Sequence, residues 1–472
     1  MYSKKTKIVA TIGPVSESAE MLEKLVKAGL NVMRLNFSHG DYNEHGGRIT
    51  NGRAVAKKLG LPLAILQDLP GPKIRIGEFY KERVMLKAGD KFVLTTEKRV
   101  GDENGAYINY AKLPKEVSKG SIIFLDDGKK KLIVESVKGE EIVCKIIVGG
   151  ETKGKRGVNV PGAYLSISSL TPTDKKHVDF GIERGVDYMA LSFVRRAKDV
   201  KDLRTILDKK KANIKIIAKI ETSEAIENID EIIEAADGIM VARGDLAVEV
   251  PKEEVPVMQK MIIKKCNKVG KPVITATQML ESMIQNSVPT RAEVNDVANA
   301  IFDGTDAVML SEETTLGAYP VDAVKTMAEI AAHTEKHLEY EEILKGEHLE
   351  LKSVTDAVSF AALNLAHEVE ASAIVALSAS GFTARKTSRY KPARPVFVIT
   401  PEEKSYNRLA LSFGCYPILI SHNFESFTSM MKEAKELLLK SKLVKKGDKF
   451  VLIGGIPFGV AGATNTVSIQ EV

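Results

Sequence analysis

Short apolar runs alternate with stretches of helical periodicity along most of this chain. Such alternation is typical of βαβ units and a mostly parallel sheet. The runs predicted as strands are Lys7–Ile12, Asn31–Phe37, Leu63–Asp68, Asp187–Phe193, Lys215–Glu221, Gly238–Asp245, Pro272–Met279 and Ala307–Thr314. Ser16 is predicted to cap a helix that ends at Gly29. Eight such units favour a (β/α)8 TIM-type barrel over an open doubly wound sheet, because no glycine-rich dinucleotide fingerprint follows the first strand.

The alternation is interrupted by a segment of a different kind. From Pro72 to about Ser168 the chain has short β-rich pieces and turns, which predict a small, β-barrel-like domain inserted over the barrel's active face as a lid. After Thr355, helical segments alternate with four further apolar runs, which predict a separate α/β domain. The predicted domains are 1–71 and 169–344 for the barrel, 72–168 for the lid and 345–472 for the C-terminal domain.

Composition narrows the classes of function. With 472 residues the chain is too long for one hydrophobic core. A net charge of +6, with basic and acidic residues interleaved, fits anionic small ligands and does not indicate a nucleic-acid partner. Three widely spaced cysteines are typical of a reducing compartment, and neither a signal peptide nor a membrane-length apolar run is recognised. We therefore predict a soluble, cytoplasmic protein without a membrane partner.

Polar side chains follow the predicted strands at their carboxyl ends, which share one rim of a parallel barrel. Glu221 and Asp245 offer two carboxylates, a common protein share of a Mg²⁺ site. Lys219 could hold a phosphoryl group in transit, although Lys219 and Glu221 could instead be an ordinary surface pair. The other rim candidates are Arg34, Asn36, Ser38, His39, Asp68, Ser192, Arg243, Gly244, Thr277, Gln278, Ser311 and Glu313. Each alone could be a loop start or helix cap, but together they predict a site for a metal-bound phosphate.

Several long motifs, in this order, resemble those of pyruvate kinase. They are NVMRLNFSHG from Asn31, AKIE from Ala218, GIMVARGDL from Gly238 and ATQMLESM from Ala276. The resemblance runs over nearly the whole chain. It implies a barrel with a β-domain lid and a C-terminal regulatory domain, a homotetramer, and phosphoryl transfer from phosphoenolpyruvate to ADP, which gives pyruvate and ATP.

The resemblance also implies a role for individual residues. Glu221 and Asp245 would bind the essential Mg²⁺, while Gly244, Asp245 and Thr277 would line the phosphoenolpyruvate carboxylate. Arg34 and Lys219 would hold the transferring phosphate, with Lys219 as the transition-state stabiliser, and enolpyruvate would be protonated near Thr277. Nucleotide contacts are implied for Asn36, Phe37, Ser38, His39, Arg75 and Arg156. For Arg156 a solvated basic turn stays open as an alternative.

One departure from the commonest family motif concerns a monovalent cation. The chain has DLPGPKIR from Asp68 where many members have Asp-Thr-Lys-Gly-Pro-Glu-Ile-Arg. Positions that match the family's K⁺ site are Asn36, Ser38, Asp68 and Leu69. Lys73 replaces the glutamate, and its ammonium group could supply the charge of the ion and repel K⁺. We therefore expect a need for Mg²⁺ but not for K⁺.

A loop of the C-terminal domain resembles the family's effector site. Ser378, Ser380, Gly381 and Thr383 lie between a predicted strand and helix, where hydroxyls and a glycine can cradle a phosphate. The segment Gly454–Gly462 could form the facing wall. A sugar phosphate or nucleotide monophosphate is the expected activator; the alternative is a plain turn with Thr383 as the helix N-cap.

Two other functions stay open on the sequence. One is a lyase of the same substrate class that uses the metal to hold an enolate, which the lid and the nucleotide-side Arg75 and Arg156 argue against. The other is a catalytically silent phosphometabolite sensor, which would not need the full set of Lys219, Glu221, Asp245 and Thr277.

Overall fold

A closed barrel of eight parallel strands forms the centre of the computed structural model, which describes residues 4–345, 351–422, 427–441, 444–456 and 464–472. The barrel begins with β1 (Lys7–Thr11), α1 (Ala19–Ala28), β2 (Val32–Asn36), α2 (Tyr42–Leu59) and β3 (Ala64–Leu69). All five residues of β1 are buried, as expected for a strand covered on both faces. Helix α2 starts in a capping box of Asp41 with Glu44 and ends at Gly60, whose φ of 64° suits glycine.

The lid follows β3. Its elements are β4 (Arg83–Leu86), β5 (Lys91–Thr95), β6 (Gly105–Tyr107), α3 (Leu113–Glu116), β7 (Ile122–Leu125), β8 (Lys130–Lys138), β9 (Glu141–Val148), β10 (Gly150–Lys153) and β11 (Val158–Asn159). Six strands form a sheet in the order β11-β7-β8-β9-β5-β6, and β10 pairs with β4. Residues such as Phe92 and Leu132 give this domain a hydrophobic core of its own.

The barrel then resumes and closes. Its elements are α4 (Pro172–Glu183), β12 (Tyr188–Leu191), α5 (Ala197–Lys209), β13 (Lys215–Ile220), α6 (Ser223–Glu227), α7 (Ile229–Ala235), β14 (Gly238–Ala242), α8 (Arg243–Glu249), α9 (Val255–Val269), β15 (Val273–Ala276), α10 (Arg291–Phe302), β16 (Ala307–Leu310), α11 (Glu312–Thr315), α12 (Pro320–Thr334) and α13 (Tyr340–Lys345). Short 3-10 turns cover Glu281–Ile284 and Glu335–His337. Strand β16 pairs with β1, with Ala307 opposite Lys7, and this pairing closes the ring.

The C-terminal domain is a five-stranded sheet with helices. It comprises α14 (Val354–Glu368), β17 (Ala373–Leu377), α15 (Phe382–Ser388), β18 (Val396–Thr400), α16 (Glu403–Arg408), a 3-10 turn (Leu409–Leu411), β19 (Cys415–Leu419), α17 (Phe427–Ser441), β20 (Lys449–Gly454) and β21 (Thr466–Glu471). The strand order is β19-β18-β17-β20-β21, with β21 antiparallel. The predicted fold class is confirmed, while the residue bounds of the predicted domains stay predictions.

The C-terminal domain closes the barrel at the amino ends of its strands. Ala410 and Leu411 belong to the hydrophobic cluster inside the barrel. The Tyr188 hydroxyl, at the start of β12, donates to the Arg408 carbonyl at 2.8 Å. Lys391 forms a buried ion pair with Asp306 at 2.9 Å. The lid is inserted at the opposite end of the barrel, where the strands have their carboxyl ends.

Some local predictions, of a helix cap and of strand ends, are wrong. The cap of α1 is Ser18, whose Oγ accepts from the Met21 amide, while Ser16 accepts from Gly13 in the preceding turn. The strands predicted as Gly238–Asp245, Pro272–Met279 and Ala307–Thr314 are shorter, ending at Ala242, Ala276 and Leu310, because the chain turns directly into α8, a positive-φ pair and α11. The alternative that made Thr383 the N-cap of α15 is also wrong, since Gly381 occupies that position.

Within the described parts of the chain, no helix is long and apolar enough to cross a membrane.

Candidate active site

Lys219 lies at the centre of a buried polar cluster on the carboxyl-terminal rim. Its Nζ donates to Ser192 Oγ at 2.7 Å and pairs with Glu221 Oε1 at 2.7 Å. It also lies 3.3 Å from Asp68 Oδ1. Glu221 is itself fixed, since its other oxygen accepts from the Phe193 amide at 2.7 Å. The alternative of an ordinary exposed pair is excluded, because Lys219 is 9% and Glu221 1% exposed.

Charge balance explains the protonation of this cluster. Burial alone would lower the pKa of Lys219, but the carboxylates of Asp68 and Glu221 outweigh it and raise that pKa above its usual value. Burial raises the pKa of Asp68, but Lys219 and Arg34 more than offset this, so the net shift is downward. Burial and the charge of Asp245 hold the pKa of Glu221 up against the pull of Lys219. A fixed ammonium group between two acids is the result.

Arg34 supplies a second fixed cation at the end of β2. Its Nε pairs with Asp68 Oδ2 at 2.7 Å, and its Nη1 donates to Thr11 Oγ1 at 2.7 Å. Asp68 therefore orients both cations, one with each carboxylate oxygen. The side chain of Arg34 is only 11% exposed, so its charge is weakly screened by solvent.

Thr277 and Gly244 meet where β14 and β15 end. The Gly244 amide donates to Thr277 Oγ1 at 2.8 Å. Asp245 follows in the first turn of α8. Thr277 has φ 72° and Gln278 has φ 54°, so two successive residues lie in the left-handed region. Gly244 and Thr277 thus meet at the rim, and Asp245 is the residue that follows Gly244.

Glu221 and Asp245 offer two carboxylate groups, which are the protein ligands that Mg²⁺ prefers. The charge of Asp245 helps raise the pKa of Glu221, so the two acids repel one another, which a divalent cation would relieve. Among the described residues, no group of three or more His, Cys, Asp or Glu side chains is arranged to hold a metal. Two carboxylates are sufficient when water and substrate phosphate supply the other ligands.

The segment after β2 presents a short polar loop. Asn36 Oδ1 accepts from the Ser38 amide at 3.1 Å, and Ser38 and His39 are exposed. The Phe37 ring, in contrast, is buried and stacked on His45 with ring centroids 4.1 Å apart. The side chains of Ser38 and His39 are therefore open to a ligand, that of Asn36 is partly so, and Phe37 anchors the loop.

Arg75, Arg156 and Lys73 all lie where the lid joins the barrel. Arg75 Nη1 donates to the Lys155 carbonyl at 3.0 Å, and the exposed Arg156 lies 3.4 Å from Asp126. Lys73 Nζ lies 3.6 Å from Asp127 of the lid. Lys73 also lines a small cavity that Asp245 of the barrel borders. The ammonium group that pairs with Asp68 is that of Lys219.

The candidate effector loop precedes α15. Ser380 is exposed and its carbonyl accepts from Arg385 Nη1 at 3.2 Å, while Gly381 has φ 73°. Thr383 is buried and hydrogen-bonds Thr464 Oγ1 at 2.7 Å. Most of the predicted facing wall, residues 457–462, lies outside the described residues.

The sequence did not point to the contact between the lid and α8. Asn159 Nδ2, in β11, donates to Glu249 Oε1 at 3.0 Å. Burial raises the pKa of Glu249 to about 7, with Asn159 opposing the shift and Asp245 adding to it. Neither residue ends a barrel strand, so the pattern that located the rest of the rim carried no signal for this pair.

Fold and rim together define a (β/α)8-barrel enzyme with an inserted β-domain. Comparison with known proteins narrows this class. A family model described as the barrel domain of pyruvate kinase matches residues 3–324, and one described as its alpha/beta domain matches residues 356–470. A pyruvate kinase of Geobacillus stearothermophilus is 48% identical over 99% of this chain and 80% of that protein. A pyruvate kinase of Clostridium acetobutylicum is 45% identical over 99% of this chain and 99% of that protein.

A solved structure agrees with this result. The crystal structure of a pyruvate kinase from Cryptosporidium parvum superposes with a TM-score of 0.95 at 35% identity, covering 99% of this chain and 96% of the other. The chain belongs to the pyruvate kinase family. It is therefore a phosphotransferase, and the family's reaction moves the phosphoryl group of phosphoenolpyruvate to ADP, with pyruvate and ATP as products.

Proposed function

We propose that the rim around Lys219 carries out this transfer with Mg²⁺ as its divalent ion. The observation that supports this is the buried ammonium group of Lys219, held by Ser192 and by carboxylates on both sides. Such a group is preorganised, so it needs no rearrangement when negative charge develops nearby. A cation held in this way is suited to a phosphoryl group in transit.

Arg34 and Lys219 then bind the transferring phosphate from two sides. The phosphoryl group spreads its charge over three equatorial oxygens, so two fixed cations favour the transition state over the ground state. Asp68 keeps both cations oriented, since its carboxylate lies 2.7 Å from Arg34 Nε and 3.3 Å from Lys219 Nζ. When Mg²⁺ is bound by Glu221 and Asp245, it supplies a divalent charge that further neutralises the phosphate.

Thr277, Gly244 and Asp245 are proposed to line the carboxylate of phosphoenolpyruvate. The hydrogen bond of the Gly244 amide to Thr277 Oγ1 sets their spacing at 2.8 Å. After transfer, enolpyruvate takes up a proton at carbon near Thr277, through water or a relay.

The nucleotide is proposed to lie between the loop after β2 and the base of the lid. Asn36, Ser38 and His39 would contact it from the barrel, and Arg75 and Arg156 from the lid. The arginines are exposed and cationic, which suits diphosphate oxygens. Phe37 contributes through the position of its backbone.

Replacing Lys219 by Met tests the proposal. We expect the rate of ATP formation in a coupled assay to fall by about 10²- to 10³-fold, as for loss of a preorganised transition-state contact. Mg²⁺ binding, measured by calorimetry, should be retained. Lys215→Met, on the same strand at the other end of the barrel, is the control and should keep the wild-type rate. Equal losses of Mg²⁺ binding and turnover would show that the role of Lys219 is wrong, and pyruvate release without ATP would favour the lyase.

Further parts of the proposal concern regulation and assembly. The enzyme is proposed not to require K⁺, because Lys73 stands at the motif position where many family members have a glutamate. A phosphorylated effector would bind at Ser378, Ser380, Gly381 and Thr383, and the chain would form a homotetramer. Three buried free thiols support a reducing, cytoplasmic setting.

A further inference from the structure

Thr277 adopts a backbone conformation that a β-branched residue rarely takes. Its φ is 72°, and the next residue, Gln278, has φ 54°. A β-branched side chain in the left-handed region is a genuine outlier, and it persists only where surrounding contacts over-determine it. The contacts that hold Thr277 are therefore of functional interest.

Arg243 makes those contacts. Its Nη2 donates to the Thr277 carbonyl at 2.6 Å, and its Nε donates to the Ala276 carbonyl at 3.1 Å. One planar guanidinium group thus fixes two successive carbonyls directly at the point where the chain leaves β15. Its fixed fork sets the angle between them, which a single amine could not do.

Asp296 holds the guanidinium group from the other side. Its Oδ1 accepts from Nη1 at 2.7 Å and its Oδ2 from Nη2 at 2.8 Å, which is a bidentate pair. Gln259 adds a contact to Nη1 at 3.3 Å. Asp296 lies on α10 and Gln259 on α9, so the fork is tied to two barrel helices. Arg243 is only 14% exposed, which limits its freedom to move.

The backbone that follows Arg243 also contacts Thr277. It is the first residue of α8, and the next residue, Gly244, donates its amide to Thr277 Oγ1 at 2.8 Å. Thr277 Oγ1 in turn donates to the Ala276 carbonyl at 2.6 Å, the same carbonyl that Arg243 Nε contacts. The conformation of Thr277 and the position of its hydroxyl are thus fixed by the side chain of Arg243 and by the backbone of Gly244 and Ala276.

We infer that Arg243, held by Asp296, is a positioning residue that keeps Thr277 in its left-handed conformation and its hydroxyl, which donates to the Ala276 carbonyl at 2.6 Å, fixed at the rim. The inference rests on the proposed role of Thr277 at the phosphoenolpyruvate carboxylate and the enolpyruvate carbon. Arg243 itself is occupied by carbonyls and a carboxylate, so it acts through Thr277.

The test is a double-mutant cycle with Arg243→Lys and Thr277→Ala. Lysine keeps the charge but not the fork, so Arg243→Lys should lower kcat by about 10²-fold, the cost of a small misplacement in an active site. The KM for ADP should stay unchanged. If Arg243 acts through Thr277, the double variant should be no slower than Thr277→Ala alone. Arg83→Lys, an exposed lid arginine, is the matched control and should behave as the wild type.

A second readout separates positioning from general support of the fold. Exchange of the pyruvate methyl protons with D₂O, followed by NMR, breaks and re-forms only the C–H bond, without phosphoryl transfer. Arg243→Lys should slow this exchange as strongly as Thr277→Ala does. Asp296→Asn should show the same effect more weakly, and it replaces Arg243→Lys in the cycle if that variant does not fold.

Three outcomes would overturn the inference. They are an unchanged kcat in Arg243→Lys, additive losses in the double variant, and an unchanged methyl exchange. A fully active Thr277→Ala would remove the role of Thr277 and the inference with it. The Lys219→Met result tests phosphoryl transfer separately, so the two failures can be told apart.

Discussion

Asp68 illustrates how one buried acid organises the rim residue by residue. Its two oxygens face Arg34 and Lys219, at 2.7 and 3.3 Å. The sequence placed Asp68 among the positions of a monovalent-cation site. An acid whose oxygens already face two cations has little charge left to offer a third. Since Arg34, Lys219 and Asp68 all match the family motifs, the hypothesis that K⁺ is not required rests on Lys73, the residue that departs from them.

At this scale we predict a K⁺-independent wild type and a K⁺-dependent Lys73→Glu variant. With K⁺ replaced by tetramethylammonium at constant ionic strength, wild-type turnover should be unchanged. Lys73→Glu removes one positive charge and adds a negative one, so it should lose activity in tetramethylammonium and recover it in K⁺. Steady-state rates in the two salts measure both effects.

Lys81→Glu makes the same charge change at an exposed lid position and serves as the control. It should behave as the wild type in both salts. A collapse of the wild-type rate without K⁺ would defeat the hypothesis.

At the scale of elements, β11 of the lid and α8 of the barrel form the contact to examine. Asn159 donates to Glu249 at 3.0 Å, and Gly128 of the lid comes so near that a Cβ there would lie 3.5 Å from Val248. Helix α8 also carries Gly244 and Asp245. The lid therefore rests on the helix that lines the proposed substrate site.

Glu249 predicts a pH dependence of this contact. Burial raises its pKa from 4.5 to about 7, so the folded state binds more protons than the unfolded state between these values. The contribution of Glu249 to stability is therefore lost as pH rises through this window. Glu249→Gln should flatten the fall in unfolding free energy between pH 4.5 and 7 and be the more stable protein above pH 7. Denaturant unfolding at several pH values measures this.

Glu253→Gln removes an exposed acid in the turn that follows α8 and is the matched control. It should leave the pH slope unchanged. An identical slope for Glu249→Gln and the wild type would contradict the prediction.

The elements also show how far the sequence reaches. Alternating apolar runs predicted every barrel strand, because burial on both faces leaves a continuous apolar signal. Several predicted strands ran too far at their carboxyl ends, because the sequence pattern does not mark where the backbone turns into α8 after Ala242 and into α11 after Leu310. The left-handed Thr277 and the Asn159–Glu249 contact depend on packing between distant segments, which no local pattern records.

For the whole molecule, regulation requires coupling between the effector loop and the rim. We predict that at least one phosphorylated metabolite in a panel of sugar phosphates and nucleoside monophosphates lowers the half-saturating phosphoenolpyruvate concentration by about fivefold or more. Ser380→Glu, which places a negative charge in the exposed loop, should abolish this shift and leave the curve without effector unchanged. Saturation curves measure both, with the unphosphorylated sugar as the control. Unchanged curves across the panel would count against the prediction.

Ala410 and Leu411 of the C-terminal domain complete the hydrophobic cluster inside the barrel. The barrel alone would therefore lack part of its core. A cut after the last barrel helix would open the floor of the barrel to water. It would leave the Tyr188 hydroxyl without the Arg408 carbonyl, and Asp306 Oδ1 without Lys391. Swapping C-terminal domains between relatives would preserve catalysis only when the incoming residues at the barrel floor match those of the recipient in size and polarity. A change in the C-terminal domain that reaches these residues would therefore also disturb the core of the barrel that carries the active site.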